Sequence, residues 1–184
     1  MSIQFNRIPQ TLRVSVVLAE ADNSGARGGV SQPRTLLIGQ RTSAGTVAEA
    51  VPTLVTSKGQ AAAYFGSGSM LHRMFIAAFL NDPSAEFWGV ALDDDGSGVA
   101  ATGTLTITGP ATETGTLAVW IGGTRIPVTI TSGDSDDDIA AAIVAAITAD
   151  ATLPVTAAVG SGGNEHVVTC TAKNDGTLGN GIDI

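Results

Sequence analysis

A single cysteine, Cys170, stands in a chain of 184 residues, so no internal disulfide framework is possible. Aromatic residues make up 4% and charged residues 14% of the sequence, well under the usual quarter for charge. Basic residues are scarcest: nine Lys and Arg face 17 Asp and Glu, for a net charge of −8. Phosphate neutralisation needs clustered Lys and Arg, so nucleic acid is excluded as a partner. No apolar run approaches membrane-spanning length. The opening Met1-Ser2-Ile3-Gln4-Phe5 has neither the basic region nor the apolar region of a secretory leader. The chain therefore reads as soluble, made in a cytoplasm and without membrane association of its own.

What fills the space is Ala, Thr, Ser and 23 Gly, with a hydrophobic fraction of 43%, enough for a buried core. Five of the nine basic residues (Arg7, Arg13, Arg27, Arg34 and Arg41) fall in the first 41 positions, leaving the C-terminal half acidic. That asymmetry suits an N-terminal segment lying against an acidic surface, such as that of a neighbouring copy.

The pattern divides the chain into four zones and predicts an α+β fold. Residues 1–32 read as an extended arm, with one apolar piece from Leu12 to Ala21 and a flexible Asn23–Gly29 stretch. Residues 33–95 read as a small α/β unit. Its expected strands are Thr35–Gly39, Val51–Thr56 and Glu86–Leu92. Ser57 and Gln60 form an expected capping box before a short helix, and a Met70–Leu80 helix carries Met70, Leu71, Met74, Phe75, Ala78 and Phe79 on one apolar face. Residues 96–176 read as a Thr-rich βββαββ module. Gly122-Gly123 marks a hairpin, and a helix over about 136–149 carries an Ile139, Ile143, Ala146, Ile147 stripe. Residues 177–184 read as the start of a return strand.

The segment Phe65-Gly66-Ser67-Gly68-Ser69-Met70 has two readings. A glycine-rich turn feeding a helix N-terminus can cradle phosphate, which makes a nucleotide- or phosphate-binding α/β protein using Gly66–Ser69 the alternative function. The same residues also serve as a corner between two packed helices, with Ser69 as N-cap. The P-loop template fails because no lysine precedes Ser69, and the dinucleotide template fails because Leu71 stands where its third glycine belongs.

Other chemistry is equally thin. Asp93, Asp95, Ser97 and Gly98 imitate the first half of a calcium loop, but Thr104 occupies the position of its bidentate glutamate. Asp134, Asp136 and Asp138 alternate likewise, with Ile139 in place of the glycine. His72 and His166 have no Cys or carboxylate at metal-ligand spacing, so no metal site is expected. His72 reads as part of a solvated helix face. Cys170, in an alternating strand pattern, reads as a buried inert thiol. No Gly-x-Ser-x-Gly elbow occurs and no nucleophile–base pair can be named, so neither an enzyme nor a cofactor is expected.

An ordered series of segments resembles the contractile tail sheath proteins of Mu-like phages. It runs Arg13-Val14, Glu20-Ala21-Asp22-Asn23-Ser24, Arg34–Gln40, then Tyr64-Phe65-Gly66-x-Gly68-Ser69-Met70-Leu71. It continues through Asn81-Asp82-Pro83, Glu86–Leu92, Leu153–Ala157 and Gly176–Asp183. The resemblance implies a structural subunit of a phage or phage-like injection device, stacked as rings around a tail tube and working by contraction. It implies that the Thr-rich module is an insertion on the outside of the sheath. It further implies that the arm, through Leu12, Val14, Val16, Leu18 and Glu20, adds a strand to neighbouring subunits. The expected place is the virion tail, with assembly in the host bacterial cytoplasm. Compared with that pattern the chain reads as an N-terminal fragment, with tube and baseplate contacts expected in the absent C-terminal part.

Overall fold

A computed structural model describes residues 34–184, and the arm residues Leu12, Val14, Val16, Leu18 and Glu20 lie outside that range. The described residues fall within one compact unit with an α+β architecture. It holds two separate hydrophobic cores.

The first core begins with strand β1 (Thr35–Gln40) and the short β2 (Thr53–Val55), followed by helices α1 (Lys58–Phe65) and α2 (Met70–Asn81) and strand β3 (Phe87–Leu92). The sheet order is β1-β3-β2, with β1 parallel and β2 antiparallel to β3. A parallel pair needs a long crossover, and the two helices supply it. Both helices cover one face of this sheet. Phe65 stacks on Phe75 at 5.4 Å between ring centroids, and Phe79 meets Phe87 edge-on at 5.0 Å. With Val55, Ala61, Leu71 and Ala91 these rings form a closed aromatic core, using half of the chain's eight aromatics.

The second core follows in the order β4 (Ala100–Thr106), β5 (Gly115–Ile121), β6 (Thr124–Ile130), α3 (Asp136–Ala149), β7 (Val155–Val159) and β8 (Val167–Asp175). Strands β4, β8 and β7 make an antiparallel sheet, and β5 and β6 a separate hairpin. Gly122 and Gly123 both have positive φ, 53° and 79°, as a two-residue turn matching strand twist requires. Ile139, Ala140, Ile143 and Ile147 of α3 pack on Ile126, Val128, Val155 and Val168. Ser135 and Asp138 cap α3 reciprocally. Cys170 is buried in this core, and burial raises its thiol pKa, in keeping with an inert role.

Three local expectations change. Ser57 accepts from the Gln60 N–H at 3.2 Å, but the Gln60 side chain accepts from the Thr56 N–H, one residue earlier than a capping box requires. The alternating pattern predicts a last strand over His166–Ala172, but β8 runs three residues further, to Asp175. Where a return strand was expected, Thr177–Gly181 forms a 3-10 turn and Ile182–Ile184 carries no strand. Gly179 sits there against the Cβ atoms of Ala101 and Ala172, too close for a side chain and suited to a tight turn.

Candidate functional site: the junction at the glycine turn

The three residues that lengthen β8, Lys173, Asn174 and Asp175, meet the glycine turn and the end of β1. They join the two cores. Ser69 caps α2 as expected, its Oγ accepting the His72 N–H at 3.1 Å. The Met70 N–H, which the helix itself cannot satisfy, donates to Oδ1 of Asn174 at 2.8 Å. The same Asn174 donates through Nδ2 to the Arg41 carbonyl at 3.0 Å and to Asp94 Oδ1 at 3.1 Å. Asp94 also accepts the Asp175 N–H, and Gln40 Nε2 donates to the Asp175 carbonyl at 3.0 Å.

Lys173 closes the other side. Its Nζ donates to the carbonyls of Ala151 at 2.8 Å and Ser67 at 3.2 Å, while Ser67 Oγ donates to the same Ala151 carbonyl at 2.9 Å. Burial holds the Lys173 pKa below its ordinary value, partly offset by Asp150. Gly68 lies between these groups with φ +79°. A Cβ there would stand 2.2 Å from the Leu153 carbonyl oxygen and 2.5 Å from Lys173 Nζ. Glycine is required at this position both by the backbone and by the close approach of the second core.

This geometry overturns the solvated reading of His72. Its side chain is only 2% exposed, and Nδ1 accepts the Gly68 N–H at 3.0 Å, which places its proton on Nε2. Burial, then Lys173 and Arg73, push its pKa down, so the imidazole is neutral. The signal was local: a histidine four residues after a turn glycine can reach back to that glycine's N–H.

The phosphate cradle is not formed. The N–H groups of Gly66, Gly68, Ser69, Met70 and His72 donate to Ala62, His72, Gly66, Asn174 and Ser69 respectively. An anion would have to displace these bonds, several of them buried, rather than fill open donors.

The acidic clusters are also accounted for. Asp93 pairs with the Arg41 guanidinium, which holds its carboxyl below the usual range. Asp95 accepts the N–H and hydroxyl of Ser97, and Asp134 accepts the Thr131 N–H. The fold does bring His166 to Asp136 and Asp137, with candidate ligand atoms within 4.8 Å of one another, a proximity their separation in sequence conceals. Carboxylates at the start of α3 are independently favoured by the helix dipole. Trp120, the only aromatic in residues 96–176, stands outside the second core and is 56% exposed.

No family model matches the chain. The chain is, however, 36% identical over 186 aligned positions to the Mu-like prophage FluMu tail sheath protein of Haemophilus influenzae. The match covers all of this chain and 37% of that protein. The resemblance to tail sheath proteins of Mu-like phages thus holds over the whole chain, which is consistent with the N-terminal part of such a sheath.

Proposed function

We propose that this chain is the N-terminal part of a contractile tail sheath subunit, assembling with its neighbours in stacked rings around a tail tube. The observation that carries this reading is the 36% identity, over the whole of this chain, to 37% of a tail sheath protein. The junction supports it physically. Two cores tied by Met70–Asn174, Gln40–Asp175, Lys173–Ser67 and Arg73–Gly122 hydrogen bonds suit a subunit that must transmit force as one body. The role is structural rather than catalytic. The glycine turn is in keeping with it too, as a corner where the N–H groups of Gly66, Gly68, Ser69, Met70 and His72 already have protein partners.

Within this reading the subunit belongs to the virion tail and assembles in the host bacterial cytoplasm. The 33–95 unit is the sheath-type body, and the 96–176 module decorates the outside. The arm segment around Leu12, Val14, Val16, Leu18 and Glu20 links neighbouring subunits by adding a strand to their sheets. Contacts to tube and baseplate belong to the portion of the subunit outside the aligned third.

The test is a deletion of residues 1–30 from a full-length sheath subunit carrying this sequence. Circular dichroism should show folded subunits, and electron microscopy should show no tubes. Intact tubes from the deletion would remove the arm from assembly.

A further inference from the structure

Among the described residues, the sheet of the first core is covered on one face only. Leu37 packs into the aromatic core and Gly39 contacts Leu71 and Met74, so the alternate residues of β1 point the other way. Those residues are Leu36 and Ile38, each 52% exposed. Strand register places Trp88 opposite Leu36, Val90 opposite Ile38, and Leu54 opposite Trp88. Leu92 completes the row opposite Gln40, and Leu54 and Leu92 are about two-fifths exposed. Six apolar side chains on three strands thus form one continuous outer face, with a groove of about 270 Å³ between Leu36, Pro52 and Trp88.

Such a face is out of place on a free surface. A parallel pair like β1 and β3 is normally buried on both sides. A contiguous apolar patch of this kind marks an interaction surface. Strand β1 is also a sheet edge, with nothing paired on its outer side among the described residues.

We infer that this outer face is the seat of an apolar segment from the portion of a sheath subunit that the aligned third does not include. This rests on the sheath reading and adds to it a location. More than half of the Haemophilus protein lies outside the match, so an ample length of polypeptide is available to form the missing layer. A second copy of this chain fits less well. Six side chains fall far short of the roughly 20–30 residues a side of a stable interface.

The experiment uses the full 184-residue chain carrying Trp120→Phe, which leaves Trp88 as its only tryptophan. It is mixed or co-expressed with the remaining portion of the Haemophilus sheath protein, its own tryptophans replaced by phenylalanine. The two should co-elute, and Trp88 emission should shift to the blue. Ile38→Asp or Leu54→Asp should weaken the complex about a hundredfold, because each buries an unpaired carboxylate. Both variants should keep the circular dichroism and melting temperature of the chain alone, since both side chains are exposed there.

A complex that leaves Trp88 emission unchanged and ignores Ile38→Asp would overturn the assignment of this face while leaving the sheath reading intact. Failure of the two parts to associate even on co-expression would count against both. A dimer of the chain alone that Ile38→Asp dissolves would give the face to a second copy. A red shift of Trp88 on deleting residues 1–30 from the chain alone would give it to the arm. Either result overturns the inference.

Discussion

The backbone N–H of Met70, the first residue of α2, is satisfied by the side chain of Asn174 at the far end of β8. A helix of one core is thereby capped by a strand of the other. Asn174→Ala leaves the Met70 N–H and the Arg41 carbonyl without their partner and should cost about 1–3 kcal/mol. Urea unfolding followed by Trp fluorescence and far-ultraviolet circular dichroism checks this. The two probes should move together if the junction couples the cores. Separate transitions in the variant would show that Asn174 had been the coupling.

Gly68 is the turn residue that cannot change. Gly68→Ala forces a side chain into the left-handed region and against the Leu153 carbonyl, and should destabilise by about 2 kcal/mol or more. Gly59→Ala, in α1 with open space around it, is the control and should be neutral or stabilise by about 0.5–1 kcal/mol. Thermal melts of the two variants should move in opposite directions or differ by many degrees.

His72 gives the fold a pH dependence of known sign. Its folded pKa lies below the ordinary value, so the unfolded state binds the proton more readily. The contribution is present above pH about 6.5 and is lost as pH falls through the lowered folded value. A protonated Nδ1 can no longer accept from Gly68, and the charge meets Lys173 and Arg73. His72→Asn keeps an acceptor without a titration. The wild type should therefore lose more stability than His72→Asn between pH 7.5 and 5.5, measured by urea midpoints. Equal losses would refute the buried neutral state.

Phe75 is central to the aromatic core, fully buried and in contact with three other rings. Phe75→Ala should cost about 3–5 kcal/mol. Trp120→Ala, on an exposed strand position, should stay within about 0.5 kcal/mol of wild type. Denaturant titration of both distinguishes a core built on a few aromatics from one spread over alanine and threonine.

Much of this architecture was legible in residue patterns. Ser69 as N-cap, the Gly122-Gly123 hairpin and the isoleucine stripe of α3 are local features, each set by residues a few positions apart. The junction was not legible, because its partners stand far apart and its key residues look ordinary in sequence. Lys173 and Asn174 stand just past Ala172, the last residue of the alternating pattern. His72 read as polar and therefore solvated, although its acceptor nitrogen was needed inside. The turn itself illustrates the difference: its glycines were visible, but the reason for Gly68 is a carbonyl of Leu153, far along the chain. The outer apolar face was hidden in the same way. A continuous apolar run signals a strand buried on both sides, and only the placed helices show which side the described residues leave open.

The most direct test of the account replaces the aligned third of the Haemophilus sheath protein with this chain and images the product by negative-stain electron microscopy. The account predicts that the chimera forms tubes wherever the unmodified protein does. Well-folded chimeric subunits that remain dispersed, under conditions where the unmodified protein forms tubes, would contradict it.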